Sequence, residues 1–449
     1  MEIGRPLMAY KQKIIRTLRC KNQKIIGVLA KLINTISSHG GDIGNVSTVS
    51  LGEFQNIRDI SIIIDDEEHL TRIVNAVRKL PEIELEAVID EVLELHRGGK
   101  LIIRPKHEIH SIEDLRKVYT PGVASVCRLI KEDPLQAETY TTISKTVALV
   151  TNGSRVLGLG NLGPVASMPV MEGKAALFNQ FSGLHMIPIL INTLEIDRFV
   201  DTVEAISSTF AAIHLEDIRT PDCFAVEEEL IRRLKIPVMH DDQHGTATVA
   251  LAALINACQM AGLDLKTAKV GQLGLGAAGC AIANLIIKYS GNPVLGYDVN
   301  PECYPRLKAQ GGVPIEEIEE VMKKCQVVVA TTGVPGLIKP EWVQKGQVIL
   351  ALSNPYPEIS IADAINAGAA FATDGTRVNN LLGYPGIWKG AIESRATKIT
   401  PEMYIAGALA IVGQTPEREL IPEPLDPMVH SAVAKAVAKA AIHGKVTRK

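Results

Sequence analysis

The chain has no Cys-x-x-Cys pair, no apolar run of membrane-spanning length, no internal repeat, no low-complexity tract and almost no excess charge of either sign. Its seven cysteines (Cys20, Cys127, Cys223, Cys258, Cys280, Cys303 and Cys325) are odd in number and scattered. That spacing argues against a zinc site built on thiolates, a redox dithiol or a disulfide framework, and reads as reduced thiols. No stretch reaches the ~18 uninterrupted apolar residues of a membrane span, and residues 1–16 carry charges every few positions in place of a signal-peptide core. A cytoplasmic location is expected. A net charge of −3 gives no electrostatic reason to expect nucleic acid or an anionic membrane as partner. With 46% apolar and 22% charged residues, the chain reads as a soluble globular protein whose partner is a small molecule.

At 449 residues the chain should divide into about three domains of roughly 150 residues each. Residues 12–90 begin with an apolar run at 14–18, then a helical pattern (Ile25, Ile26, Val28, Leu29, Leu32, Ile33, Ile36) and a turn at Gly40-Gly41. Two strand-like runs ending at 60–64, a helix over 67–80 and a last apolar run at 83–92 complete a β-α-β-β-α-β order. This module, residues 1–95, resembles an ACT domain. The resemblance implies a regulatory unit that binds an amino-acid effector or pairs with a second copy. Its first loop, residues 21–27, is longer than that family's usual turn and lacks its proline.

His96-Arg97-Gly98-Gly99-Lys100 is a polar, glycine-containing hinge, and 96–104 is read as a linker. Residues 105–245 alternate helical patterns with apolar strands at 147–150, 188–191 and 210–213, and residues 246–405 continue with strand, glycine turn, helix and strand. Such alternation argues for parallel sheets. The expected fold class is α/β: a doubly wound Rossmann domain and an α/β substrate and metal domain, preceded by the small α+β module. Residues 406–449 are read as an alanine-rich helical segment with a basic end.

Gly274-Leu275-Gly276-Ala277-Ala278-Gly279 follows a predicted strand at 269–273 and precedes a predicted helix at 281–287. The glycines would let the backbone approach a pyrophosphate, whose charge suits the free N–H groups of a helix start. Asp298, 19 residues past Gly279 at the end of the next predicted strand, would accept from ribose hydroxyls and repel a 2′-phosphate. The expected cofactor is NAD, with NADP possible if a basic loop lies nearby.

Two acidic pairs, Glu216-Asp217 and Asp241-Asp242, each follow a short apolar strand. Carboxylates gathered at strand ends repel one another unless a cation lies between them, and oxygen-only ligation suits Mg²⁺ or Mn²⁺. Either pair alone would pass for a solvated loop or a helix cap. His240 and His244 leave a zinc reading open, although histidines beside a helix start are more often structural.

Seven further segments, in one order, carry a specific resemblance: 118–124 (Val-Tyr-Thr-Pro-Gly-Val-Ala), 155–161 (Arg-Val-Leu-Gly-Leu-Gly-Asn), 171–174 (Met-Glu-Gly-Lys), 215–217 (Leu-Glu-Asp), 240–246 (His-Asp-Asp-Gln-His-Gly-Thr), 353–355 (Ser-Asn-Pro), and Asn379-Asn380 ahead of Tyr384-Pro385-Gly386. Over about residues 105–430 the chain resembles malic enzymes of the shorter, bacterial type. The resemblance implies Glu216, Asp217 and Asp242 as metal ligands, Lys174 as general base, Tyr119 as general acid and Asp241 as the group that holds the Lys174 ammonium. It implies that Arg155 grips a substrate carboxylate, that Asn354 and Asn380 bond substrate near the nicotinamide, with Asn379 beside them, and that the protein is a homodimer or larger homo-oligomer. Asn161 stands where many relatives carry Asp.

These residue types suit oxidation and decarboxylation of (S)-malate to pyruvate and CO₂. A base must take the hydroxyl proton while hydride leaves C2, and burial in a closed cleft can bring a lysine into a usable range. Two other functions remain open on the residues: oxaloacetate decarboxylation without net hydride transfer, and a catalytically silent sensor that binds an amino acid at the first module.

Overall fold

The computed structural model describes residues 14–156 and 159–448. Most of the 1–16 stretch, and Leu157-Gly158 of the 155–161 segment, lie outside the described residues. The chain forms two compact units, one ending at Lys100 and one starting at Leu101.

The first unit is a four-stranded antiparallel sheet of β1 (Ile14–Gln23), β2 (Asp42–Leu51), β3 (Gln55–Ile64) and β4 (Ile83–Ile89) in the order β2-β3-β1-β4. Its helices are Val28–Ser38 and Glu67–Val77. The first buries Val28, Leu32 and Ile36, spaced four apart on one face, against Leu18, Cys20, Ile60 and Ile62 of the sheet. The second starts where the Asp66 carboxylate accepts from the His69 N–H at 2.8 Å, with Glu67 and Glu68 in its first turn. The last apolar run does not continue as strand to residue 92. Asp90 caps the Leu93 N–H, and residues Glu91–His96 turn into a short helix.

The second unit contains two parallel sheets. The smaller is β5 (Thr146–Thr151), β6 (His185–Leu190), β7 (Ala212–Leu215) and β8 (Val238–His240), in the order β6-β5-β7-β8. The larger is β9 (Val270–Leu273), β10 (Leu295–Tyr297), β11 (Val313–Pro314), β12 (Val327–Ala330), β13 (Val348–Ala351) and β14 (Phe371–Asp374), in the order β11-β10-β9-β12-β13-β14. Strands β5, β7, β9, β12 and β13 are buried at every residue, which suits the wholly apolar β12 and β13 and the mostly apolar β5, β7 and β9 of sheets covered on both faces. The predicted strand at 210–213 is shifted: Phe210 and Ala211 lead in, and the ladder starts at Ala212.

Strand order reverses between β9 and β12, a switch point that opens a crevice beyond the carboxyl ends of the strands. The helix Asp241–Met260 follows β8 directly and is buried along most of its length between the helices Ala277–Ser290 and Pro401–Gln414. Near the start of this unit the helices Ile112–Val118 and Val123–Glu132 bury no residue, leaving Ile112, Leu115, Val118, Tyr119 and Leu129 exposed. Among the described residues no helix is long and apolar enough to cross a membrane.

Candidate active site

The carboxyl ends of the β5–β8 sheet and the glycine turn after β9 border one cavity of about 620 Å³. Of the expected site residues, Arg155, Lys174, Glu216, Asp217, Asp242, Gly276, Ala277, Ala278, Asn354 and Asn380 line it, as do Asn379 and Tyr384. Asp241, Gly274 and Gly279 are not among its lining residues, although Asp241 bonds Lys174 and Asn380, which are. Asp298 and Tyr119 do not line it.

Glu216 and Asp217 sit just past β7, and Asp241 and Asp242 open the helix after β8. One oxygen from each of Glu216, Asp217 and Asp242 can be chosen so that all three lie within 4.8 Å of one another. Asp217 holds a left-handed backbone (φ 55°); its N–H donates to Asp242 Oδ2 at 2.9 Å and its carbonyl accepts from the Arg155 N–H. The buried Asp217 Oδ2 has no hydrogen-bond partner. Burial, then the neighbouring carboxylates, push Asp217 up to about 8, and burial helps raise Glu216 to about 7 against the pull of Lys174. Asp242 moves the other way. Burial would raise it, but His240, with Nε2 3.0 Å from Asp242 Oδ2 and poorly aligned for a hydrogen bond, holds it below the usual carboxylate range. Three crowded acids, two of them reluctant to ionise, and an orphaned buried oxygen fit a divalent cation bound by oxygen.

Lys174 projects from the helix Pro164–Ser182. Its ammonium donates to Asp241 Oδ2 at 2.6 Å and to Glu216 Oε1, and lies 4.9 Å from the centre of the Tyr384 ring. Burial alone lowers its pKa, as expected from the sequence. The Asp241 and Glu216 carboxylates outweigh burial and hold it well above the usual lysine range. Asp241 is wholly buried and also accepts from Asn380 Nδ2 at 2.8 Å, a contact 139 residues apart in the chain. Its carboxylate folds against its own helix: a Cβ on Gly245 would come within 1.9 Å of Asp241 Oδ1. Gly245 is therefore a site residue that the sequence displayed without a stated role.

A second grouping of possible ligands, His214, Glu216 and Asp241, overlaps the first. Both ring nitrogens of His214 are already engaged, by Trp388 Nε1 and Glu216 Oε2 at 2.8 Å each, and burial pushes its pKa down to about 3. His244 bonds to the buried Glu227 at 3.1 Å and stacks on Tyr404, and the Glu227 carboxylate also accepts from the His240 N–H and Gln243. His240 and His244 brace the helix start, and among the described residues neither belongs to a grouping of possible metal ligands. The part played by His214 and Trp388 was missed. His214 and Glu216, two residues apart, share a side of an extended chain and could have been paired; Trp388, 174 residues away, left no signal.

In the glycine turn, Gly274 takes φ 84°, and a Cβ there would meet Thr331 O at 2.8 Å. A Cβ on Gly279 would lie 1.9 Å from Gly274 O, whereas one on Gly276 would meet nothing within 4 Å. The turn thus needs glycine for its own packing at two positions and leaves open space at the third, beside the start of the Ala277–Ser290 helix. That combination fits a pyrophosphate-sized anion. Asp298 follows β10; its Oδ2 accepts from the Leu275 N–H at 2.6 Å and its Oδ1 from the Asn300 N–H at 2.8 Å, tying it to the same turn. Tyr119 is 65% exposed at the end of the Ile112–Val118 helix.

The family model for the malic enzyme N-terminal domain matches residues 100–195. NAD-dependent malic enzyme 1 of Bacillus subtilis is 52% identical over 430 residues, covering 96% of this chain and 98% of that protein. The NAD-dependent malic enzyme of Geobacillus stearothermophilus is 36% identical over 96% of this chain and 95% of its own length. Among solved structures, the malic enzyme of Pyrococcus horikoshii superposes with a TM-score of 0.75 at 38% identity, covering 80% of this chain and 92% of that one.

Proposed function

The chain belongs to the malic enzyme family, and on that premise we propose that it oxidises and decarboxylates (S)-malate to pyruvate and CO₂, with NAD as hydride acceptor and Mg²⁺ or Mn²⁺ as metal. The observation that carries this reading is the meeting of Lys174 with Glu216, Asp217 and Asp242 in one cavity bordered by a glycine turn. Glu216, Asp217 and Asp242 would hold the metal, which when bound supplies Lewis-acid polarisation of the substrate oxygens. The turn at 274–279 would hold the dinucleotide, whose nicotinamide accepts the hydride, and Asp298 would bond its ribose.

Lys174 takes the C2 hydroxyl proton as hydride leaves C2. To do so it must first be neutral. With Glu216 engaged as a ligand, its charge would be shared with the metal, and the balance at Lys174 would shift toward burial, which lowers its pKa, against the Asp241 carboxylate that remains. Asp241, fixed by Asn380, keeps the amine in place through the cycle. Arg155 pairs with a malate carboxylate, and Asn354 and Asn380 orient the substrate against the nicotinamide. Loss of the C4 carboxylate as CO₂ leaves the electron pair in an enolate, whose oxygen takes the proton held by Lys174; Tyr119 then protonates C3 as Lys174 recovers the enol proton and returns it to the tyrosine.

Tyr119 can do this only if its segment is packed against a site. Its helices bury nothing and display apolar side chains, which fits a homodimer in which Tyr119 of one copy completes the cavity of the other. The module before residue 100 has its own core, and we assign it to pairing or effector control in a cytoplasmic enzyme.

The test is reduced-nicotinamide absorbance with malate, with NAD and NADP in parallel and Mn²⁺ present or chelated. Metal-dependent NADH and pyruvate formation, lost in Lys174→Ala, supports the reading; no turnover with either cofactor refutes it. Mixing inactive Tyr119→Phe and Lys174→Ala chains should restore up to about a quarter of wild-type activity through mixed dimers. Without restoration, the tyrosine serves its own chain.

A further inference from the structure

Behind the Glu216 ligand lie two buried groups, in line, that the reaction itself does not use. Trp388 and His214 are fully buried, and Glu216 is nearly so. The indole Nε1–H of Trp388 donates to His214 Nδ1 at 2.8 Å, and His214 Nε2 lies 2.8 Å from Glu216 Oε2. An indole nitrogen is a donor only, so His214 Nδ1 must present a lone pair. The imidazole is therefore neutral with its single proton on Nε2, the nitrogen that faces the carboxylate. Trp388 selects the one tautomer of His214 that can donate to Glu216.

We propose that Trp388 and His214 are positioning residues for the metal site, locking Glu216 Oε2 from behind so that its Oε1 stays on the Lys174 side. This rests on the reading of Glu216 as a metal ligand. Without the lock, Glu216 would be free to swing both oxygens toward the Lys174 ammonium, its nearest cation. With it, one oxygen is tied to a neutral donor, and the carboxylate plane is set before a metal arrives. The Tyr384 ring, edge-on to His214 with centroids 5.8 Å apart and beneath the Lys174 ammonium, fixes the imidazole from the side. Partners placed in this way around a ligand set metal affinity.

Binding of Mn²⁺ to the full-length protein, followed by the EPR signal of the free ion without malate or NAD, tests the proposal. Trp388→Phe keeps an aromatic side chain, though a smaller one, and removes the donor, and His214→Phe removes the link. Each should weaken Mn²⁺ binding by about 10-fold or more, and His214→Gln, which retains an N–H donor, should recover part of the loss. In the wild type, long-range ¹H–¹⁵N correlation of histidine-labelled protein should show His214 protonated at Nε2 alone. A proton on Nδ1, or unchanged Mn²⁺ affinity with only a lowered melting temperature in both Phe variants, would overturn the proposal. Failure of malate turnover alone would count against the assigned reaction and leave the Mn²⁺ and tautomer results standing. Absence of Mn²⁺ binding in the wild type would remove both the metal reading and this role.

Discussion

The two walls of the cavity stand at the carboxyl ends of two parallel sheets, yet one is crowded with charge and the other is built around a glycine turn. On the β5–β8 side, Glu216, Asp217, Asp241 and Asp242 surround one lysine, and burial makes each depend on the ionisation of its neighbours. On the β9 side, Gly274, Gly276 and Gly279 do the work by having no Cβ. The first wall should therefore answer to pH and metal, and the second to steric bulk. A shared cavity does not imply a shared energetic basis.

The largest effect should come from removing one charge on the acidic wall. Asp217→Asn should lower kcat/KM by about a thousandfold, the order expected when a group that stabilises developing charge is lost. The metal-free protein should nonetheless melt higher at pH 8, because the variant relieves a crowded carboxylate and asparagine tolerates the left-handed backbone. Steady-state kinetics beside thermal melts check both halves; a lowered melting temperature without metal would contradict the electrostatic account.

Next come the glycines. Gly279→Ala drives a Cβ into Gly274 O and should cost about 1–3 kcal/mol of stability, read by denaturant unfolding. Gly276→Ala meets only open space and should change stability by no more than about 0.5–1 kcal/mol while weakening NADH binding, read by fluorescence titration. Equal stability losses in the two variants would erase the distinction between packing glycine and ligand glycine.

The pH response should separate the walls further. Glu216 and Asp217 have folded-state values raised to about 7 and 8, so the folded protein holds protons that the unfolded chain has released. Stability from that source is present at low pH and is lost as pH rises through those values. His214, depressed from 6.5 to about 3, acts oppositely but only below about 6.5, and His240, raised above its ordinary value, adds to the loss above it. Metal-free melting temperature should thus fall between about pH 6.5 and 8, and saturating Mn²⁺ should flatten or reverse that slope, since metal binding favours deprotonated ligands. A metal-free melting temperature that rises over this interval would contradict the assignment.

The smallest effect should be Asp298→Asn. Both its oxygens already accept from backbone N–H groups of the turn and the next loop, so the charge is only one part of cofactor choice. The NAD to NADP ratio of kcat/KM should shift toward NADP by less than about 1.4 kcal/mol, a factor of ten. A larger shift would make Asp298 the main discriminator.

Much of this site could be read along the chain because its parts are local. The glycine turn announces itself between a strand and a helix, and each acidic pair follows a short apolar strand, so sequence neighbours become neighbours in the cavity wall. Contacts closed by the fold were not legible. Asn380 reaching Asp241, Trp388 selecting the tautomer of His214, and the carboxylates that reverse the effect of burial on Lys174 join segments up to 174 residues apart. The start of β7 at Ala212 was missed because Phe210 and Ala211 are as apolar as the strand they precede.

By itself the sequence determined which segments become strands, where backbone must approach without a Cβ, and which side chains stand at strand ends, because these follow from periodicity, turn chemistry and residue type. Only the tertiary structure decided which carboxylates share a cavity, which of them resist ionisation, which histidine is neutral, and that Tyr119 stands outside the cavity. Those outcomes depend on distance and dielectric between residues remote in the chain, and neither quantity exists until the chain has folded.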